Sequence, residues 1–348
     1  MSGENNKMNK AVSFGDVLLT PQYSEIMSRK EVDLSCKLKN GPKLKIPVIS
    51  SPMDTVTEVS MAVKMSSLGG LGIIHRYNSP DEQAELVEDS ILNGVNSKSV
   101  KVGFAVGVGD DMLERARKCL NAGASMICVD IAHGHHALMR HALKVLRNTF
   151  GDDIHIMAGN VATLEGFNDL ADWGANSVRV GIGGGSICST RIQTGHGTPT
   201  LQSILDCSMS DRDALLVADG GIKNSGDIVK SLAAGADLVM IGSLLSGTEE
   251  TPGDVFSEDG EYFKIYRGMA SKDAQINWRG HVSSIEGVSS QVPYKGKVEA
   301  VIRELETGIR SGLSYSGATS VSELQAKAKF IQQTSAGQHE SSAHINKK

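Results

Sequence analysis

The chain has 348 residues, of which 40% are hydrophobic and 22% charged, and these near-average values argue against extensive disorder, a coiled coil or a fibrous protein. The 35 Lys and Arg residues against 40 Asp and Glu residues give a formal net charge of −5, which disfavours a nucleic-acid partner. No apolar run is long enough to span a membrane, and the opening MSGENNKMNK lacks the apolar core of a secretory signal, so a cytoplasmic protein without a membrane partner is expected.

Eight short apolar runs alternate with amphipathic segments between about residues 45 and 250. Such runs, separated by helical patterns, are typical of parallel strands buried on both faces. The sequence AGA or WGA precedes three of the runs and provides the glycine that commonly ends a helix. Eight successive β-α units predict an α/β fold, a closed (β/α)8 TIM barrel in a single domain, rather than an open sheet. The runs are KIPVISS, GLGIIH, VKVGFAVG, SMICVDIA, HIMAGNV, SVRVGIG, LLVADGG and LVMIGS.

The barrel pattern ends near residue 250. The remaining segment contains KIYRGM, then a polar span, PYKGKVEAVIRELETGIRSG and the hydrophilic end ESSAHINKK. We interpret it as a short flap at about 268–292, followed by a terminal helix and a tail at 297–348. A second large domain is not expected.

A glycine-rich segment from Gly181 to Gly197, GIGGGSICSTRIQTGHG, follows the sixth run. Successive backbone amides could stabilise a thiolate at Cys188, and loop carbonyls could instead surround a monovalent cation. The alternative is a plain connector with a buried, inert cysteine. The other cysteines form no C-x-x-C pair, and Cys119, Cys128 and Cys207 lie in helical or strand patterns, so they are interpreted as reduced core thiols.

Two further glycine turns end the seventh and eighth runs, at ADGG (218–221) and IGS (241–243). In barrels a phosphate usually binds here, against backbone amides and a helix N-terminus. Asp219 is better suited to two vicinal sugar hydroxyls than to an anion. Phosphate and diol together predict a nucleotide ligand, and the alternative is a pair of tight structural turns.

Several motifs occur in a fixed order along nearly the whole chain. Together they resemble the family of IMP dehydrogenase and GMP reductase, which has a (β/α)8 barrel and is usually tetrameric. The resemblance implies the same barrel, a purine nucleotide substrate and a homotetramer. The motifs are SFGDVLLTPQYSEI, PVISSPMDTVTE, GGLGIIH, AGNV, GGGSICSTR, ADGGIKNSGDI, YRGM, PYKG and RSGLSYSGA.

The resemblance assigns chemistry to three residues. Cys188 would bond purine C2, while Thr190 and Glu286 would protonate the departing amine of GMP. The flap from Gly268 to Glu286 lacks the Arg-Tyr dipeptide with which the dehydrogenases activate water. This favours an NADPH-dependent GMP reductase.

Several features leave other readings open. SSPMDTVTE and SGLSYSGATSVSEL look more like the dehydrogenase, so an IMP dehydrogenase without its regulatory CBS domain is the alternative. That domain is not expected here, because a single helix separates GIIHRYNSP from VKVGFAVG. Ser283 lies where reductases usually have an arginine, so one nucleotide or coenzyme contact should differ. A nucleotide sensor without activity and a Schiff-base aldolase using Lys223 are more remote.

The resemblance also places binding residues by position. Asp130 could instead cap the next helix. His133, His135 and His136 are interpreted as a polar helix start that binds no metal. The nucleotide would contact Ser186, Asp219, Gly220, Gly221, Gly242, Ser243, Tyr266, Gly268, Met269, Ala270 and Gly287. NADPH would contact Asp130, Ile131, Ala132, Asn160, Gly181 and Gly183, and a potassium ion would bind the carbonyls of Gly183, Gly185 and Cys188.

Overall fold

The computed structural model describes residues 10–94 and 100–341, so the first nine residues of the opening segment and the tail beyond residue 341 lie outside it. Eight parallel strands pair in chain order, and the last pairs with the first to close a barrel. The predicted (β/α)8 barrel is therefore confirmed. Three short strands precede it: β1 (Val17–Leu19), β2 (Cys36–Lys37) and β3 (Lys43–Leu44). The barrel strands are β4 (Val48–Ser50), β5 (Leu71–Ile74), β6 (Val102–Val106), β7 (Met126–Asp130), β8 (His155–Val161), β9 (Ser177–Val180), β10 (Leu215–Asp219) and β11 (Leu238–Ile241).

Helices connect the barrel strands and cover their outer faces. Local signals begin and end them as expected: Ser79 accepts a hydrogen bond from the amide of Glu82 at one N-terminus. Gly123, Gly174 and Gly235 follow three helices with φ of 98°, 114° and 115°, a conformation that favours glycine. The helices are α1 (Val59–Ser67), α2 (Pro80–Leu92), α3 (Met112–Asn121), α4 (Ala137–Phe150), α5 (Leu164–Asp172), α6 (Thr190–Thr194), α7 (Thr200–Cys207) and α8 (Ser225–Ala233).

The barrel interior is a packed apolar core at the N-terminal ends of the strands. Leu38 and Leu44, from the β2–β3 hairpin, join side chains such as Ile49 and Met240 in one buried cluster. Cys128 belongs to this cluster, while Cys119 and Cys207 lie in the core between strands and helices. Burial raises the pKa of each of these three thiols to about 12, which agrees with their interpretation as inert core residues.

The segment after β11 differs from the prediction of a barrel complete near residue 250. The eighth helix of the outer ring is α10 (Val298–Tyr315), which packs against α8 and α1. An antiparallel sheet and a helix come before it: β12 (Phe256–Glu258), β13 (Glu261–Arg267), α9 (Lys272–Arg279) and β14 (Ser289–Pro293). The flap is thus an excursion from β13 to β14, and the predicted terminal helix completes the barrel.

The segment expected to be a tail also contains regular structure. It forms α11 (Val321–Lys327), β15 (Phe330–Gln332) and α12 (Ser335–Glu340). Strand β15 pairs antiparallel with β1, so the two ends of the described chain meet in one small sheet. A strand of three residues gives too weak a pattern to be recognised in a hydrophilic segment. Among the described helices, none has the length and apolar character needed to cross a bilayer.

Candidate active site

The C-terminal ends of the barrel strands and the flap surround one cavity of about 320 Å³, a volume within the range of small-molecule sites. All predicted site residues except Gly287 line it, including Cys188, Thr190 and Glu286. Gly287 lies beside the cavity and pairs with Cys188 through the backbone. The structure therefore brings together residues that are widely separated in the sequence. The predicted residues on the cavity wall are Asp130, Ile131, Ala132, Asn160, Gly181, Gly183, Gly185, Ser186, Cys188, Thr190, Asp219, Gly220, Gly221, Gly242, Ser243, Tyr266, Gly268, Met269, Ala270 and Glu286.

Close backbone packing positions the glycine-rich loop. Gly181 has a φ of +148°, and a Cβ on it would lie 1.9 Å from the carbonyl oxygen of Asp219. Only glycine allows the loop to begin this close to the end of β10. The loop then turns back over the barrel and presents Cys188 just before α6.

A hydrogen-bonded chain of three side chains lies above the barrel. The Cys188 thiol donates to Thr190 Oγ1 at 3.2 Å, and the Thr190 hydroxyl donates to Glu286 Oε2 at 2.7 Å. The thiol and the carboxylate are thus connected through one hydroxyl. This arrangement can move a proton between a nucleophile and an acid without direct contact.

Backbone pairing holds Glu286 against the cysteine loop. The amide of Ser189 donates to the Glu286 carbonyl at 3.0 Å, and the amide of Val288 donates to the Ile187 carbonyl at 3.0 Å. These bonds flank the antiparallel bridge between Cys188 and Gly287. A Cβ on Gly287 would lie 3.2 Å from the amide nitrogen of Ser271, so the flap is closely packed here.

A buried charge cluster forms one wall of the cavity. Arg179 pairs with Asp130 and lies 3.8 Å from Asp219, while Arg76 lies 3.8 Å from Asp130. Asn160 Nδ2 donates to Asp219 at 2.9 Å. Burial alone would raise the pKa of Asp130, but the charges of Arg179 and Arg76 hold it below its usual value. Burial raises the pKa of Asp219 despite the charge of Arg179.

Tyr266 contributes a neutral hydroxyl to the same cavity. The residue is 5% exposed, and burial raises its pKa to about 12 despite a hydrogen bond with Ser186. A Cβ on Gly242 would lie 3.1 Å from Tyr266 Oη. Tyr266 and Ser186 therefore offer hydrogen bonds, and no charge, to a ligand at this side of the cavity.

The expected phosphate cradle is present only in part. Gly220, Gly221, Gly242 and Ser243 line the cavity, but β11 is followed by turns and not by a helix. After β10, the side chain of Asn224 already accepts from the amide of Asp227 at the start of α8. A phosphate here would depend on the glycine backbone more than on a helix N-terminus.

The structure distinguishes the interpretations left open at Asp130 and at the histidines. Helix α4 is capped by His136, which accepts from the amide of Leu138 at 3.0 Å, so Asp130 does not cap it. His135 lies 2.9 Å from a carboxylate oxygen of Asp169. The polar helix start predicted for this segment is confirmed.

Arg179, Arg76 and Tyr77 line the cavity but were not among the predicted site residues. Arg179 is a charged residue in the apolar run SVRV, and a charge in a strand buried on both faces is a signal of an interior partner. Arg76 and Tyr77 follow β5, where the barrel fold places functional side chains.

Comparison with known proteins places the chain among purine nucleotide enzymes. A family model described as "IMP dehydrogenase / GMP reductase domain" matches residues 11–344. The chain is 38% identical to an inosine-5'-monophosphate dehydrogenase of Cryptosporidium parvum, over 97% of this chain and 96% of the relative. It is 32% identical to a GMP reductase of Leishmania major, over 96% of this chain and 97% of the relative.

A solved structure is similar over the whole chain. It is a crystal structure of GMP reductase from Trypanosoma brucei, a cysteine-to-alanine variant, in complex with guanosine 5'-monophosphate, with a TM-score of 0.92, 31% identity and 99% coverage of both chains. The alignment of this chain with a dehydrogenase of Nitrosopumilus maritimus extends over 471 positions, and its alignment with the Leishmania major reductase extends over 476. Both alignments are longer than the 348 residues of this chain. The length of this chain therefore does not discriminate between the two activities.

Substitution of Arg179 tests the electrostatic wall of the cavity. Arg179→Met leaves two carboxylates without their buried cation, and we expect it to lower the free energy of unfolding by about 3–5 kcal/mol. Adding Asp130→Asn should restore at least about 1 kcal/mol, because it removes one uncompensated charge. Urea unfolding of the four proteins of this cycle measures both values. Strictly additive losses would show that Arg179 and Asp130 do not interact.

Proposed function

Because this chain belongs to the IMP dehydrogenase / GMP reductase family, we propose that it is a GMP reductase, which converts GMP, NADPH and a proton to IMP, ammonia and NADP⁺. The observation that carries the proposal is the Thr190 hydroxyl, hydrogen-bonded to both the Cys188 thiol and the Glu286 carboxylate. A reductase must transfer a proton to a departing amine, and this chain of groups provides a route. The flap also contains no Arg-Tyr dipeptide between Gly268 and Glu286.

The first half of the reaction removes the amine. The Cys188 proton passes through Thr190 to Glu286, and the thiolate adds to purine C2. The same two residues return the proton to the amino group, which leaves as ammonia while the sulfur–carbon bond remains. The proton released by the thiol thus ends on the leaving group, and Glu286 and Thr190 regain their starting states.

The second half of the reaction breaks the sulfur–carbon bond. Bound NADPH would supply a hydride to C2, and Cys188 leaves as a thiolate to give IMP. A proton taken up from solvent then restores the Cys188 thiol for the next turnover. Asp130, Asn160 and Gly181 line the cavity beside the cysteine loop, so they are suited to orient the nicotinamide. The backbone pairing of the flap with residues 187–189 holds the flap against the loop that presents the thiol.

The nucleotide would bind next to these residues, toward the ends of β10 and β11. Asp219 offers a carboxylate to the ribose hydroxyls, and the backbone of Gly220, Gly221 and Gly242 is open to the phosphate. Tyr266 and Ser186 supply neutral hydroxyl groups. The GMP bound in the Trypanosoma brucei structure supports a purine nucleotide in this cavity.

The donor set of the glycine-rich loop fits a potassium ion. Backbone carbonyls are neutral oxygen ligands, and Gly183, Gly185 and Cys188 contribute three from one loop. The Gly185 carbonyl also accepts from the amide of Cys188 at 3.1 Å. These residues would hold the ion, which would stiffen the loop that presents the thiol. The homotetramer implied by the resemblance and the cytoplasmic location expected from the sequence stay predictions.

IMP dehydrogenase is the second candidate. It is favoured by the names of relatives such as the Cryptosporidium parvum enzyme at 38% identity and by the SSPMDTVTE segment. In that reaction IMP and NAD would give the same sulfur-bound intermediate, and water would then release XMP. The difference between the two candidates is the second reactant at C2.

Two mixtures distinguish these activities. With GMP and NADPH, we expect ammonia and IMP to form in equal amounts, because the relay protonates the amine. With IMP and NAD, we expect no XMP above background. Ammonia assay and chromatography of the nucleotides measure both reactions, and sustained XMP formation in the second mixture would establish the dehydrogenase instead.

Glu286→Gln tests the proton relay. We expect ammonia release from GMP to slow by at least about 100-fold, since general acid–base groups contribute about 10²–10⁴-fold. A single turnover of IMP and NADP⁺ forms NADPH and the Cys188 adduct with no leaving amine, so it needs the relay only to accept the thiol proton, and its rate should fall by a smaller factor than ammonia release.

Cys188→Ala is the matched control for this experiment. It should abolish both reactions while GMP binding, measured by calorimetry, remains. If Glu286→Gln slows the two half-reactions equally, the carboxylate does not act on the amine.

A further inference from the structure

The flap helix α9 has a polar side chain buried at its centre. Gln275 is 1% exposed and lies in the short helix that runs from Lys272 to Arg279. Burial of an amide is unfavourable unless its groups are hydrogen-bonded. Its partners therefore indicate what the residue does.

Gln275 connects the two ends of the loop that carries Glu286. Its Nε2 donates to the carbonyls of Ala270 at 3.0 Å and Ser284 at 2.6 Å. Its Oε1 accepts from the amide of Ser283 at 3.0 Å. The Ala270 carbonyl also accepts from the amide of Glu286 at 3.1 Å. An isosteric apolar side chain could make none of these bonds, because the site needs a donor and an acceptor on one group.

The far end of the same helix is attached to the barrel. Trp278 stacks on Tyr77, with ring centroids 4.2 Å apart and an interplanar angle of 14°. The guanidinium carbons of Arg76 and Arg279 lie 5.6 and 5.5 Å from the Trp278 ring centroid. Stacked rings and nearby cations both contribute favourable contacts to Trp278.

The barrel side of this stack is itself held in place. Arg115, which is 2% exposed, donates to the Asn78 carbonyl at 2.8 Å and to Asn78 Oδ1 at 3.0 Å. Asn78 follows Tyr77 directly, so the segment after β5 is fixed from within the core. Trp278 thus packs against a firmly positioned partner.

We infer that Gln275 and Trp278 are positioning residues that hold the Glu286 carboxylate against Thr190. Trp278 fixes α9 to the barrel by stacking on Tyr77. Gln275 then holds the segment 283–286 against α9 through its hydrogen bonds to Ser283 and Ser284. Neither residue needs to touch the nucleotide for this role. The inference rests on the proposed function, because it assigns a purpose to the position of Glu286.

The two half-reactions described above give a specific test. Gln275→Leu should slow ammonia release from GMP at least tenfold, with the KM for GMP changed less than threefold, because the acid is displaced and the nucleotide site is intact. The single-turnover formation of NADPH from IMP and NADP⁺ should slow by a smaller factor than ammonia release, because this reaction has no amine to protonate. Asn277→Ala, at an exposed position beside Trp278, is the matched control and should alter neither rate.

Trp278 provides a second variant that does not depend on a buried site. Trp278→Ala should give the same selective loss of ammonia release, and Trp278→Phe, which can still stack on Tyr77, should restore at least half of the rate. Equal slowing of both half-reactions, or no rescue by phenylalanine, would overturn the inference even if the wild-type enzyme reduces GMP. Failure of the wild type to release ammonia from GMP would overturn the proposed function and the inference with it.

Fluorescence tests the stack without any reaction. The chain has two tryptophans, so Trp173→Phe leaves Trp278 as the only one. In that background we expect Tyr77→Ala to shift the emission maximum to longer wavelength, because the indole becomes more exposed to water. An unchanged emission would show that the two rings are not stacked in solution and would contradict the proposed attachment.

Discussion

The chemistry of this protein depends on a short backbone pairing between two distant loops. Residues 187–189 come from the glycine-rich loop after β9, and residues 286–288 come from the flap. The barrel contributes the thiol and the flap contributes the carboxylate, and only their pairing places Thr190 between them. A change of register by one residue would turn the Glu286 side chain away from the cavity.

Below that pairing, Arg179 contacts two carboxylates whose pKa values shift in opposite directions. Arg179 and Arg76 keep the pKa of Asp130 low, whereas burial raises that of Asp219. The same wall thus offers a firmly ionised group beside a more readily protonated one. Tyr266, whose pKa is about 12, adds a hydroxyl that stays neutral. These differences arise from burial and neighbouring charges, not from the residue types alone.

The fold and most of the cavity wall could be predicted from local sequence signals. Apolar runs such as LVMIGS identify buried strands, and the barrel topology then determines which residues lie at the strand ends. The role of α10 could not be predicted in this way, because the flap separates it from β11. Gln275 and Trp278 were also missed, since their significance lies in contacts with Ser284 and Tyr77 that no spacing pattern reveals. The activity itself depends on which second reactant reaches C2, and the relatives carry both names.

The most direct measurement follows the atom that replaces the amine at purine C2. The protein is incubated with GMP and NADPH deuterated at both C4 positions, in water enriched in ¹⁸O, and the product nucleotide is analysed by mass spectrometry. We predict IMP with one deuterium at C2 and no ¹⁸O at that carbon, because hydride and not water is the second reactant. XMP carrying ¹⁸O at C2 would show that water reaches the intermediate, and would contradict this account.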